Sequence, residues 1–178
     1  MDLKPHHPAL PRLTLVIGGA RSGKSRYAEG LVTACPAPWI YVATAQAFDE
    51  EMAARIAQHR ERRADGWTTI ETTIDLADVV TAQGSSGAPV LIDCLTLWLS
   101  NVMLGGKDVE AACRELVDAL TAATGPVIAV SNEVGLGIVP DNALARSFRD
   151  AQGRLNQDIA ACADSVILMA AGLPLTLK

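Results

Sequence analysis

The segment formed by residues 18–25 combines residue types that bind phosphate. Its sequence, Gly-Gly-Ala-Arg-Ser-Gly-Lys-Ser, fits the pattern G-x-x-x-x-G-K-[ST], with a buried-strand pattern before it and a helical one after it. Glycines allow the loop to turn its N–H groups inward, the lysine brings a cation to the β- and γ-phosphates, and the last hydroxyl can ligate Mg²⁺. The sequence therefore predicts a nucleotide phosphate loop made of Gly18, Gly19, Ala20, Arg21, Ser22, Gly23, Lys24 and Ser25.

A carboxylate that could share the metal ion follows a second buried strand. Asp93 comes directly after Val90, Leu91 and Ile92. An aspartate in this place holds Mg²⁺ directly or through water in phosphate-loop enzymes. We therefore expect Ser25 and Asp93 to be the protein ligands of Mg²⁺, and Asp93 and Glu133 are weak candidates for the base of a kinase reaction.

Strand and helix patterns alternate along the chain and must position these groups. Buried-strand patterns occupy residues 13–18, 39–44, 90–93, 126–131 and 164–169, residues 67–72 are a short strand or an extended edge, and residues 175–178 could add another edge. Helical patterns occupy residues 24–35, 49–64, 74–83, 95–104, 108–124 and 142–162. Such alternation predicts a single α/β domain of the phosphate-loop NTPase class, with a RecA-like, mainly parallel sheet flanked by helices.

Composition narrows the functional classes. The 178 residues suit one domain, predicted over residues 13–178 after a flexible leader at residues 1–12. A net charge of −5 disfavours nucleic-acid binding, and no apolar run reaches the length of a membrane span. The four cysteines are scattered, without a CxxC pair, which is typical of reduced thiols in a cytoplasmic protein.

Three kinds of phosphate-loop protein compete at this point. A GTPase switch needs an NKxD-like segment after a late strand, whereas Ser131, Asn132 and Glu133 occupy that place, and the DxxG match at residues 150–153 falls inside a predicted helix. A RecA-like motor is disfavoured by the acidic balance and the few aromatic residues. A plain metabolite kinase explains the loop but gives no role to His59 or to the glycine-rich segment after Glu133.

Further blocks carry a resemblance. From residue 13 onward the chain resembles the bifunctional adenosylcobinamide kinase / adenosylcobinamide-phosphate guanylyltransferase family. The phosphate loop is generic, and the order of the other blocks is specific. They are residues 41–44 (Tyr-Val-Ala-Thr), 49–56 with His59 and Arg60, 67–71, 93–98 (Asp-Cys-Leu-Thr-Leu-Trp), 132–140, 146–150, and Asn156 with Gln157.

The resemblance implies two reactions in cobalamin assembly. The family phosphorylates the aminopropanol hydroxyl of adenosylcobinamide, and then moves GMP from GTP onto that phosphate through a histidine phosphoramidate. ATP or GTP would serve as the kinase donor, Mg²⁺ as the metal, and a homotrimer as the assembly.

Site residues follow from the same resemblance. His59 is the candidate nucleophile, since the two other histidines, His6 and His7, lie in the leader. Arginines beside it can hold the triphosphate, and Glu71 would recognise guanine or ribose. The predicted nucleotide site also includes Arg60, Glu61, Arg62, Arg63, Ala43, Thr44 and Ala45. The apolar helix at residues 95–104, with Trp98, could be a core helix or a subunit interface, and the interface is favoured because the family forms trimers.

Overall fold

Seven strands and five helices make up the described part of the chain, which in this computed structural model covers residues 10–46, 50 and 65–178. The strands are β1 (Leu13–Gly18), β2 (Trp39–Ala43), β3 (Trp67–Glu71), β4 (Val90–Asp93), β5 (Val127–Asn132), β6 (Ser165–Ala170) and β7 (Leu173–Thr176). The helices are α1 (Lys24–Thr33), α2 (Leu76–Gln83), α3 (Leu95–Leu104), α4 (Val109–Ala122) and α5 (Ala143–Cys162). The predicted helix at residues 49–64 lies outside the described residues except for Glu50.

One mainly parallel sheet joins all seven strands in the order β3-β2-β4-β5-β1-β6-β7. β7 alone runs antiparallel, because the turn at Ala171 and Gly172, with φ of 52° and 82°, folds it back along β6. The six parallel strands end at one side of the sheet, called here the carboxyl edge, where ligands bind in open α/β sheets. The predicted fold class is confirmed.

The buried side chains of the strands point alternately into two apolar cores, one on each face of the sheet. In β5, Val127 and Ala129 pack with the helices α2 to α5, whereas Ile128 and Val130 pack with Ala28 of α1. Successive side chains of a strand point to opposite faces. The sheet side that carries α1 is called here the α1 face, and the phosphate loop leads directly into its helix.

The helix α3 belongs to the core. Trp98 is 1% exposed and its Nε1 donates to the carbonyl oxygen of Ile74 at 2.7 Å. The interpretation of Trp98 as an interface residue was therefore wrong. The Ile74 carbonyl also accepts from the N–H of Leu76 at 2.8 Å, and α2 begins at Leu76 rather than at residue 74, with Asp75 as its N-cap.

Arg12 joins the C-terminal ends of two helices by hydrogen bonds. Its guanidinium donates to the carbonyl of Leu120 at 2.9 Å and to that of Cys162 at 2.8 Å, at the ends of α4 and α5. The Asp164 carboxylate lies 3.5 Å from its Nε. Of the predicted leader, residues 1–9 lie outside the described residues, and the leader stays a prediction. No helix of the described ranges is long and apolar enough to cross a membrane.

We expect the Arg12→Ala variant to lose about 2 kcal/mol of unfolding free energy, because two helix ends lose a charged hydrogen-bond donor. The melting temperature should fall by roughly 4 to 8 °C in a thermal unfolding experiment. The exposed Arg154 offers a matched control, and Arg154→Ala should melt close to wild type. Equal melting temperatures for the two variants would contradict this role.

Candidate active site at the phosphate loop and the end of β4

The phosphate loop has the strained backbone of an anion cradle. Gly23 has φ of 91° and Arg21 has φ of 55°, a conformation that costs energy for a residue with a side chain. Gly18 must remain glycine, because a Cβ there would lie 2.6 Å from the carbonyl oxygen of Met169. The sequence therefore supplies glycines where the turn needs them, and accepts strain at Arg21.

Several donors of this loop face no acceptor. Within the described part of the chain, the N–H groups of Ala20, Arg21 and Gly23 donate no hydrogen bond, and the buried Ser22 hydroxyl has no partner. The Ser22 carbonyl is held from the other side by the N–H of Gly172 at 3.0 Å. A fixed loop that presents unused donors is suited to phosphate oxygens.

Lys24 folds its ammonium group over the same loop. Its Nζ donates to the carbonyl oxygen of Gly19 at 2.9 Å, and the residue is only 8% exposed. Burial lowers the pKa of Lys24, while the negative charge of Asp93 opposes that shift. Burial disfavours the charged ammonium, so the negative charge of a bound phosphate would stabilise it. Ser25 follows in the first turn of α1, half-buried.

Asp93 ends β4 on the α1 face and is held by neighbouring strands. The hydroxyl of Tyr41 donates to its Oδ2 at 3.1 Å. The next peptide bond, Asp93–Cys94, is cis. Burial raises the pKa of Cys94 to about 12, so this thiol stays protonated and unreactive at neutral pH.

Thr44 fixes the turn after β4. Its hydroxyl donates to the Cys94 carbonyl at 2.7 Å and accepts from the Cys94 N–H at 2.8 Å. The amide of Asn101 donates to the Thr44 carbonyl at 2.9 Å, and the Thr44 N–H bonds to Asp93. Thr44 is completely buried. Its observed contacts give it a supporting role, and its place in the nucleotide site through backbone groups stays a prediction.

Glu71 shares the carboxyl edge with Asp93 but lies on the outer strand. Ala43 pairs with Glu71 on one side and with Asp93 on the other, and both carboxylates fall on the α1 face. Ala45 is half-buried beyond Thr44. Four strand spacings separate β3 from β1, or roughly 19 Å. A nucleotide that reached both Glu71 and the phosphate loop would have to lie along the carboxyl edge of the sheet.

The predicted covalent centre falls outside the described residues. His59, Arg60, Glu61, Arg62 and Arg63 all belong to the undescribed part of the chain between β2 and β3. On its two sides, Gln46 follows the end of β2 and Asp65 precedes the start of β3. The roles of the five residues remain those that the resemblance implies.

The supporting roles of some polar residues of the site region were not predicted, although Tyr41 and Asn156 stand in the blocks that carry the resemblance. Tyr41 and Asn101 brace the end of β4, and Gln152 and Asn156 are buried in α5. A signal existed for the last two, because two amides four residues apart share the apolar helix face of Leu155. Buried amides need hydrogen-bond partners, and that need indicates a specific contact.

Two apolar surface features lie outside the phosphate loop itself. An open groove of about 290 Å³ runs between the end of α3 and the start of α5, with Met103, Leu104, Leu144 and Phe148 in its walls. The glycine-rich loop after β5 exposes Leu136, Ile138 and Val139 at 89%, 98% and 63%. The described residues contain no group of three or more His, Cys, Asp or Glu side chains able to hold a metal.

Comparison with known structures supports the fold. A RadB recombinase superposes with a TM-score of 0.54 at 17% identity, over 90% of this chain and 75% of that one. A protein from Pyrococcus horikoshii OT3 gives the same TM-score at 10% identity, over 95% and 87% of the two chains. At such identities the likeness concerns the fold alone, and it agrees with the RecA-like strand order.

Sequence comparison shows the family. Residues 14–177 match the family described as cobinamide kinase / cobinamide phosphate guanyltransferase. The bifunctional adenosylcobalamin biosynthesis protein CobP of Pseudomonas aeruginosa is 44% identical, over 92% of this chain and 96% of its own. CobU of Salmonella typhimurium, with the same descriptive name, is 41% identical over 93% of this chain and 99% of its own. This chain therefore belongs to the cobinamide kinase / cobinamide phosphate guanyltransferase family.

Proposed function

We propose that this protein performs both reactions of its family. It phosphorylates the hydroxyl of adenosylcobinamide, and it transfers GMP from GTP to the resulting phosphate to give adenosylcobinamide-GDP. The observation that carries the proposal is the phosphate loop, where backbone donors have no acceptor among the described residues and the buried Lys24 ammonium bonds to the Gly19 carbonyl. Family membership supplies the substrate class.

Residues of the loop would act on the triphosphate by position and charge. Phosphoryl transfer gains most of its rate from aligned groups and stabilised negative charge. The N–H groups of Ala20, Arg21 and Gly23 and the Lys24 ammonium supply that stabilisation. Mg²⁺ fits the two oxygen donors of Ser25 and Asp93, because it binds through one or two protein oxygens plus phosphates, whose charge it neutralises. ATP and GTP are both proposed as kinase donors.

His59 is proposed as the nucleophile of the second reaction. A neutral imidazole nitrogen forms a bond to the α-phosphorus of GTP, the bond to the bridging oxygen breaks, and pyrophosphate leaves. The corrinoid phosphate then attacks the same phosphorus and releases the histidine. Arginines 60, 62 and 63, together with Glu61, stand next to the nucleophile in the sequence, where guanidinium groups can hold phosphate oxygens.

Guanine selectivity is assigned to Glu71. A carboxylate accepts from the guanine N1–H and 2-amino group, whereas adenine presents no such pair of donors. Glu71 is exposed at the carboxyl edge on the same face as Asp93, as a base-binding residue requires.

The Glu71→Gln variant should lose most of its preference for GTP over inosine triphosphate, which lacks the 2-amino group. We expect the ratio of kcat/KM values to fall about tenfold, the worth of one charged hydrogen bond. Guanylyl-transfer kinetics with both nucleotides measure this ratio. The exposed Glu115 on α4 provides the control, Glu115→Gln. An unchanged ratio in Glu71→Gln would contradict the assignment.

A homotrimer and a cytoplasmic location are part of the proposal. Exposed apolar side chains such as Leu104, Leu136 and Ile138 would be covered by association. The four cysteines are free thiols, a state that a reducing compartment maintains. Analytical ultracentrifugation tests the assembly, and a monomer at micromolar concentration would contradict it.

The product spectrum tests the function directly. Purified protein with Mg²⁺, ATP and adenosylcobinamide should give the corrinoid phosphate, and added GTP should convert it to adenosylcobinamide-GDP with release of pyrophosphate. Formation of the phosphate alone would instead establish a plain metabolite kinase. No corrinoid product with either nucleotide would overturn the proposal.

A further inference from the structure

Asn132 occupies the position between the two halves of the active site. It is the last residue of β5, the strand that separates β4 from β1. Asn132 pairs with Gly18 at the start of the phosphate loop, and Val130, two residues earlier, pairs with Asp93. Neighbouring strands lie about 4.8 Å apart. Asn132 is therefore one strand from the loop and one strand from the carboxylate.

Alternation along β5 gives the direction of its side chain. Ile128 and Val130 pack on the α1 face, and the hydroxyl of Ser131 bonds to Asn156 of α5 on the opposite face. Asn132 consequently faces the α1 side, as Asp93 and Gly18 do. The residue is half-buried, and within the described residues its side-chain amide has no hydrogen-bond partner.

The backbone of Asn132 is held from two helices. Its N–H donates to the Thr96 hydroxyl of α3 at 2.8 Å, and its carbonyl accepts from the Asn156 amide at 3.1 Å. The next N–H, that of Glu133, donates to the Gly18 carbonyl at 3.1 Å. These contacts fix the end of β5 against the phosphate loop and leave only the side chain of Asn132 uncommitted.

Asn156 is itself held in place by a network of buried polar side chains. Its Oδ1 accepts from the Ser131 hydroxyl at 2.6 Å and from the Gln152 amide at 3.0 Å. Gln152 is 0% exposed and Asn156 is 6% exposed, and the Oε1 of Gln152 has no hydrogen-bond partner among the described residues. Burying such groups is unfavourable unless they are bonded. Apolar residues would pack here at a lower cost. The buried network therefore indicates that the position of the Asn132 backbone, to which Asn156 bonds, must be fixed.

We propose that Asn132 is a catalytic residue of the kinase reaction, donating its side-chain amide to the γ-phosphoryl oxygens, with Asn156 and Gln152 as positioning residues. This inference rests on the proposed function. In that step the γ-phosphorus loses its bond to the β,γ-bridging oxygen and gains one to the corrinoid hydroxyl oxygen. The nucleoside diphosphate leaves and the hydroxyl proton passes to water. Negative charge spreads over the γ-oxygens during transfer, where a fixed donor stabilises it.

The test compares Asn132→Ala and Asn132→Asp with wild type in both reactions. For Asn132→Ala we expect kcat of the kinase step to fall about 10²-fold, with nucleotide Kd and melting temperature close to wild type. Asn132→Asp has the same shape but places a negative charge at the phosphate, so its kcat should fall further. Label transfer from GTP to His59 should change little in Asn132→Ala. Asn156→Ala should lower kcat and also the melting temperature.

Distinct outcomes separate the possible failures. An unchanged kinase kcat in Asn132→Ala would overturn the role, as would a loss confined to nucleotide Kd. An equal loss in both reactions would overturn the assignment to the γ-phosphoryl group. A wild-type protein without kinase activity would refute the proposed function itself, and with it this role.

Discussion

Replacing Lys24 by alanine should reduce kcat/KM of the kinase reaction about 10³-fold while leaving the fold intact. The ammonium is the only charged group of the phosphate loop that is buried, and it already bonds to the Gly19 carbonyl. Its removal leaves the γ-phosphoryl charge facing neutral N–H groups. Stability should not suffer, because burial already disfavours the ammonium and lowers the pKa of Lys24.

Steady-state kinetics and thermal unfolding measure the two halves of this prediction. Lys107 is exposed on the turn before α4 and serves as the matched control, since Lys107→Ala removes the same charge from the protein. The control should retain wild-type kinetics. A Lys24→Ala variant with undiminished activity, or one that fails to fold, would contradict the role of Lys24 as a group that serves the ligand.

His59→Ala should abolish guanylyl transfer, with a loss of at least about 10⁴-fold, because the two other histidines, His6 and His7, lie in the predicted leader. The kinase step should persist, since the phosphate loop is untouched. The two activities would then separate in one variant, which a general folding defect cannot produce.

Covalent labelling provides the measurement. Wild-type protein incubated with Mg²⁺ and GTP labelled at the α-phosphate should hold label that survives alkali and is lost in acid, as a phosphoramidate does. His7→Ala is the control and should label normally. Label retained by His59→Ala would assign the nucleophile to another residue, and no label on either protein would favour the plain kinase.

The sequence alone determined the parts of the site that depend on local residue order. The segment 18–25 predicts its loop because the glycines, the lysine and the serine that form it are close together in the sequence. Gly23, with φ of 91°, has the predicted conformation. Asp93 was found in the same way, from a short apolar strand that ends in a carboxylate. The family was found from the order of several such blocks.

Tertiary structure decided which groups brace these residues, because hydrogen bonds between distant segments cannot be predicted from the local order of residues. Thr44 joins Cys94 across 50 positions and turns out to be support, and Trp98 turns inward to bond Ile74. Asn132 gains its significance only from the strand order, which places β5 between β4 and β1. Local pattern predicts the chemistry that residues can do, whereas strand order and burial decide which of them meet.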